Sequence, residues 1–221
     1  MQEVVENKLF ILFQEQKEIV AAGRTDAGVH AKQLFAHFDA AEGLNEDFIF
    51  KLNSLLPNDI AVQSLLPVLS GAHARFDAIS RSYEYHVIQK KDPFAYDAAH
   101  LVKRNLDVEA MNAAAKILLE YTNFKCFSRS RTDVFTYNCK VEYALWIQKN
   151  EKLIFHIKAD RFLRNMVRAI VGTMLEIGLR KMEVKRMHDI IQSEDRSEAG
   201  ASVPAKGLYL TKVDYPNTIF I

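Results

Sequence analysis

The order of hydrophobic periodicities predicts an α+β protein: two ferredoxin-like (βαββαβ) subdomains with joined antiparallel sheets, the first lacking its initial strand. Three observations carry that prediction. Helical and alternating runs interleave throughout the 221 residues instead of segregating. After residue 74 their order is β-α-β-β-α-β with one added helix, the split βαβ arrangement. Before it the order is α-β-β-α-β, which matches the same arrangement once a strand is placed ahead of residue 2. The subdomains are therefore drawn as 1–73 and 74–221.

In the first half, Val5, Leu9, Leu12 and Phe13 recur at helical spacing and predict a helix over 2–13. The apolar run Ile19 to Ala22 and the alternating run Gln33 to Phe38 read as strands flanking a Gly-rich connection. Asn45-Glu46-Asp47 opens a second helix behind which Phe48, Leu52, Leu55 and Leu56 line up. Pro57-Asn58-Asp59 is a turn, and Ile60 to Leu66 is expected as a strand.

In the second half, Tyr83, Tyr85 and Val87 share one face of a strand starting near Arg81. Asp107 is placed to cap a helix over 108–120. Strands are expected near 138–147 and 153–158, and a strongly amphipathic helix over 162–177, stopped by Gly178. A shorter helix near 184–191 and a strand at 208–213 close the chain.

With 49% hydrophobic residues the chain can bury a sizeable core. Charges interrupt every apolar run, so no membrane span is expected, and Met1 is not followed by a signal-peptide pattern. Cys126 and Cys139 form no C-x-x-C pair, which argues against a disulfide framework or a zinc site and makes the cytoplasm the default location. A net charge of +1 argues against a nonspecific nucleic-acid coat but leaves room for a local basic face. Neither a Walker loop nor G-x-G-x-x-G is present, and the seven histidines lack ligand spacing, so no cofactor and no metal are expected.

The chemistry concentrates in Gly23-Arg24-Thr25-Asp26-Ala27-Gly28-Val29-His30-Ala31. Two glycines permit sharp turns, and a carboxylate held beside a cation stays ionised, a candidate nucleophile or base. Taken alone, the stretch also reads as a hairpin turn in which Asp26 caps its own backbone. Arg161, Arg164 and Arg168 fall at i, i+3 and i+7 of the long helix, on one side of it, or equally as an exposed basic stripe. Two loops, Ala72-His73-Ala74-Arg75-Phe76 and Ser128-Arg129-Ser130-Arg131-Thr132, join guanidinium groups to small or aromatic residues in a way that suits phosphate contacts. Lys91 is a weaker candidate of the same kind, and any of these is as readily a solvated charge.

The nonapeptide around Asp26 resembles the active-site loop of the tRNA pseudouridine synthase A (TruA) family. Phe162-Leu163-Arg164-Asn165-Met166-Val167-Arg168 is similar to that family's second motif, Arg81-Ser82-Tyr83 to its R-x-Y motif, and Val203 to Leu210 to its closing strand. The resemblance implies isomerisation of uridine to pseudouridine in the anticodon stem-loop of tRNA, at positions 38, 39 or 40, by a homodimer that tRNA crosses. It implies that Asp26 is the essential carboxylate and that Arg168 pairs with it. Tyr83 would stack on the displaced base, and Arg24 would enter the RNA stem. Arg75, Phe76, Ser128, Arg129 and Arg131 would contact substrate, and Leu208 would wall the pocket. Core packing is an equal reading for Tyr83 and Leu208 taken singly.

Members of that family usually begin with a strand and a G-x-x-Y-x-G-W-Q loop, and this chain shows neither. The first strand is central in a ferredoxin-like sheet. Its loss would leave backbone groups unpaired at a cost above the about 5–15 kcal/mol by which a domain is stable. A misassigned start codon or an artificially shortened chain is expected before a naturally reduced protein. Two alternatives accompany the main reading. One is a catalytically impaired tRNA- or RNA-binding protein of the same ancestry, which would bind without forming pseudouridine. The other is a metal-dependent hydrolase using Asp26 and His30, which a chelator would silence.

Overall fold

A computed structural model describes residues 1–40, 44–129 and 134–221. Its contacts divide the chain into two units: residues 1–23, 34–78 and 215–221 form one, residues 24–33 and 79–214 the other. The chain thus crosses between units at several points and not at a single cut near residue 73. The Asp26 loop belongs with the second half, because its partners are there.

The first unit holds helices α1 (Gln2–Phe13) and α2 (Glu46–Leu55) and two short strands, β1 (Val20–Ala21) and β3 (Ala36–His37), paired antiparallel. Leu9, Ile19, Leu52 and Leu56 are buried together, with Phe13 packed against Phe38 and Phe48. The Asn45 side chain caps α2 by accepting from the Phe48 amide at 3.1 Å. Residues 60–66 do not form the expected strand. The side-chain amide of Asn53 supplies what a neighbouring strand would: it donates to the Val62 carbonyl at 2.8 Å and accepts from the Val62 amide at 2.7 Å. Both polar groups of Val62 are thereby satisfied without a ladder.

The second unit carries the predicted split βαβ order. Strands β4 (Ser80–Ile88), β6 (Val141–Lys149), β7 (Lys152–Ala159) and β8 (Leu208–Asp214) form an antiparallel sheet in the order β8-β4-β7-β6. Helices α3 (Val108–Ile117) and α4 (Met166–Gly178) pack together, and α5 (Arg186–Ser193) adds buried Met187, Ile190 and Ile191 to their core. Asp107 caps α3 as expected, accepting from the Ala110 amide at 3.0 Å. Two short strands extend this sheet: β2 (His30–Ala31) runs parallel to β8, and β5 (His100–Leu101) runs parallel to the end of β4 that β8 leaves open.

The long helix departs from expectation at both ends. It starts at Met166, four residues late, because Asn165 has φ 68°, a left-handed conformation that asparagine tolerates but that no helix interior accommodates. Arg161 and Arg164 therefore lie in the irregular approach, not on the helix. At the far end Gly178 is the last helical residue, with Leu179 as its cap. No helix among the described residues is long and apolar enough to cross a membrane.

Candidate active site

The Asp26 loop is fastened to the second unit by backbone pairing. His30 and Ala31 stand opposite Tyr209 and Leu210, and the Lys32 amide donates to the Leu210 carbonyl at 2.8 Å. The Lys32 ammonium reaches Glu84 on β4 at 2.7 Å, while the His30 ring stacks on Tyr209 with its Nε2 at 2.8 Å from the Asp97 carbonyl. Gly28 has φ 81°, which is why glycine is needed there; the loop turns back so that the Val29 amide donates to the Asp26 carbonyl. These contacts present Asp26 on a short, doubly tethered arch instead of a free hairpin turn.

Two guanidinium groups meet the Asp26 carboxylate, and they meet it differently. Arg168, in the first turn of α4, donates from Nη1 to Asp26 Oδ2 at 3.0 Å. Its Nε donates to the Val203 carbonyl at 2.8 Å, and its own carbonyl accepts from the Val203 amide. Arg168 is thus clamped in place by the segment preceding β8, and only 21% of its side chain is exposed. Arg164 approaches the other oxygen: its Nε lies 3.8 Å from Oδ1, an ionic contact beyond hydrogen-bond range, with 51% of the side chain exposed. Among the described residues Oδ1 accepts no hydrogen bond, and this longer ionic contact is what stands over it.

The clamp on Arg168 depends on how closely the 199–203 segment approaches α4. A Cβ at Gly172 would stand 1.8 Å from the Ala201 carbonyl oxygen, an impossible separation, so this turn of the helix must be glycine. Gly200 donates its amide to the Thr173 hydroxyl at 2.9 Å on the same stretch. Nearby, the Asn165 side chain donates to the Ser202 hydroxyl, which also receives Arg196 Nη2 at 3.0 Å. The left-handed corner ahead of α4 is therefore held by side chains, not left to local propensity.

Tyr83 completes the cluster from β4. It stands opposite Ile157 on β7 and Leu210 on β8, next to a register shift where Thr211 is the extra residue. Its ring meets Phe162 at right angles, centroids 5.1 Å apart. Tyr83 as a residue is partly exposed, although its phenol lies deep in the protein. Burial pushes its phenol up to about 12, with the nearby Asp26 carboxylate adding to the rise against the opposing pull of Arg81. Tyr83 is consequently a neutral aromatic donor at physiological pH and not a base. The cluster of carboxylate, fixed guanidinium and aromatic ring can orient an electron-rich oxygen beside a planar apolar group.

The remaining predicted residues divide by location. Ser128 is buried, and exposed Arg129 donates its backbone amide to the Arg164 carbonyl at 3.0 Å, which brings this loop alongside the Asp26 cluster. Both line a hollow of about 250 Å³ with Lys125, Tyr137, Glu194, Asp195 and Arg196. Ser130, Arg131 and Thr132 lie outside the described residues. Leu208 is 6% exposed and sits in the core opposite Tyr85. Arg24 is exposed, as is Lys91. Arg75 and Phe76 belong to the first unit, where the guanidinium lies over the largely exposed Phe76 ring and that ring packs on His73. Sequence reasoning did not single out Arg164 as a neighbour of Asp26, nor the Val203 carbonyl that steadies Arg168.

Comparison with known proteins finds relatives along the length of the chain. A family described as tRNA pseudouridine synthase matches residues 114–216. A tRNA pseudouridine synthase A of Parabacteroides distasonis is 49% identical over 100% of this chain and 88% of its own length. Its counterpart in Porphyromonas gingivalis is 45% identical over 100% and 90%, and that of Bacillus subtilis 36% identical over 98% and 90%. Similarity of this extent covers the Asp26 loop, the Tyr83 strand and the Arg168 helix together, and the chain belongs to the tRNA pseudouridine synthase A family.

Proposed function

We propose that this chain isomerises uridine to pseudouridine in the anticodon stem-loop of tRNA, at positions 38, 39 or 40, with Asp26 as its essential carboxylate. The observation that carries the reading is the pairing of Asp26 with a clamped Arg168 beside the Tyr83 ring. In the reaction the bond from N1 of uracil to ribose C1′ breaks, the base turns, and C5 bonds to C1′. The C5 proton leaves and N1 gains one, so the atoms balance with no external group.

Arg168 holds Oδ2 and so leaves Oδ1 as the oxygen that faces the substrate. A guanidinium bound to the non-reacting oxygen fixes the carboxylate's direction and offsets charge that changes during bond cleavage. Tyr83 supplies the surface on which the displaced uracil lies; stacking of this kind is worth about 1–3 kcal/mol per base. Leu208 lines the apolar side of the pocket. Arg24, free of intramolecular partners among the described residues, assists displacement of the target nucleotide. Arg75, Phe76, Ser128, Arg129 and Arg131 contact the RNA. The protein acts in the cytoplasm as a homodimer.

The test is turnover of unmodified tRNA by Asp26→Asn, which keeps the shape and the Arg168 bond while removing the charge. Pseudouridine formation is expected to vanish while tRNA affinity stays within about threefold of wild type. Turnover comparable to wild type contradicts the assignment. Binding without turnover in the wild-type protein supports instead an RNA-binding relative without activity.

A further inference from the structure

Two arginines face one carboxylate, and the second has no settled place. Arg168 makes two hydrogen bonds and is mostly covered; Arg164 makes only a 3.8 Å ionic contact and is half exposed. The backbone of Arg164 is nonetheless anchored on both sides. Its carbonyl receives the Arg129 amide, and the next residue, Asn165, is held in its left-handed conformation through Ser202. The backbone at the root of this side chain is hydrogen-bonded, while its guanidinium donors are unclaimed by hydrogen bonds among the described residues.

Charge and geometry then conflict with catalysis as the site stands. Asp26, Arg164 and Arg168 together carry one excess positive charge. Arg164 also lies over Oδ1, the oxygen that must meet the substrate. With a guanidinium at each oxygen, neither oxygen of Asp26 is left uncovered for the substrate. Arg164 must leave Oδ1 for the reaction, and a half-exposed ionic contact without a hydrogen bond is weak enough to yield its guanidinium to a second anion. The substrate brings one: the phosphate attached to the target ribose lies about one arginine side chain away from C1′.

We propose that Arg164 is a substrate contact that rests on Asp26 Oδ1 in the free protein and transfers to the backbone phosphate of the target uridine when RNA enters, uncovering Oδ1. This rests on the functional reading above. It makes the exposure of the reactive oxygen conditional on a bound nucleic-acid strand, and it assigns the excess cation a partner of the matching fork geometry.

The experiment compares wild type, Arg164→Gln and Arg164→Lys on an anticodon stem-loop RNA, with and without a neutral methylphosphonate at the target nucleotide. Loss of one phosphate contact should flatten the slope of log affinity against log salt by about 0.7–0.9. Binding by Arg164→Gln should weaken about tenfold, and the methylphosphonate should weaken wild type similarly but the glutamine variant by less than twofold. Single-turnover rates at saturating RNA should stay within about threefold, and lysine should restore part of the affinity. An unchanged salt slope, or equal methylphosphonate losses in wild type and Arg164→Gln, overturns the proposal. A reduced saturated rate with unchanged affinity also overturns it, because Arg164 would then act on Asp26 and not on RNA. If wild type forms no pseudouridine, the functional reading fails, while the salt slope and methylphosphonate arms still decide the phosphate contact.

Discussion

Replacing Arg168 by lysine separates charge from geometry at the paired carboxylate. The native guanidinium spans two acceptors at once, Asp26 Oδ2 at 3.0 Å and the Val203 carbonyl at 2.8 Å. An ammonium keeps the charge but is a single point on a flexible stem, so it serves one of the two and leaves the other. A hydrogen bond involving a charged group contributes about 1.5–3 kcal/mol, and the partial exposure of both side chains, 21% and 28%, places the loss toward the lower end. At 1.36 kcal/mol per factor of ten, kcat should fall about 10–30-fold. A stability loss near 1 kcal/mol should lower Tm by about 2–4 °C in a chain of this size. The assay follows release of tritium from C5 of labelled uridine in tRNA, at a temperature where circular dichroism shows the variant folded. Turnover within twofold of wild type would refute the argument, since it would show that charge alone suffices. A loss no larger than the unfolded fraction would refute it equally.

Four further outcomes are expected. Tyr83→Phe should keep kcat/KM within about tenfold while Tyr83→Ala loses about 10–100-fold, because the ring and not the hydroxyl carries the stacking; the reverse order would reassign the phenol. With its phenol raised to about 12, Tyr83 should stay protonated at pH 10–11, where ordinary tyrosines ionise, and difference absorbance at 295 nm between wild type and Tyr83→Phe would detect any ionisation there. Gly172→Ala forces a Cβ into the Ala201 carbonyl and should cost about 1–3 kcal/mol by overpacking. Turnover should fall beyond what the Tm change explains, since Val203 moves with the displaced segment; a variant with native Tm and native rate contradicts the close approach. Asp214 is drawn down to about 2 by hydrogen bonds from Lys212 and Ser80, with Lys158 nearby. Its stabilisation is present above the ordinary carboxylate range and is lost as pH falls through about 2. Calorimetry of Asp214→Asn should therefore show Tm curves that separate above pH 4 and converge toward pH 2, and parallel curves would exclude the linkage.

Hydrophobic spacing determined a great deal by itself. The first helix spans residues 2–13 as the apolar repeat requires, Asn45 and Asp107 cap the helices they precede, and the second half assembles in the split βαβ order. These features are legible because they are local: which face of a run is apolar, and which side chain can reach an amide three residues on, depend on neighbours in the chain. The nonapeptide around Asp26 was legible in the same way, as a pattern that marked where chemistry would concentrate.

What needed the tertiary structure is everything that depends on distant segments. Residues 60–66 carry a strand-like pattern, yet Asn53 satisfies the backbone of Val62 and no ladder forms there. The long helix has its apolar repeat from residue 162, but its first turns are displaced by a left-handed Asn165 that Ser202 holds, 37 positions away. Three arginines at helical spacing look equivalent on paper. Folding separates them: Arg168 is clamped by Val203 onto a carboxylate 142 positions away, while Arg164 is left loose over the other oxygen. Periodicity encodes which surfaces must be buried, and only the packed chain decides which charges then share a few ångströms of space.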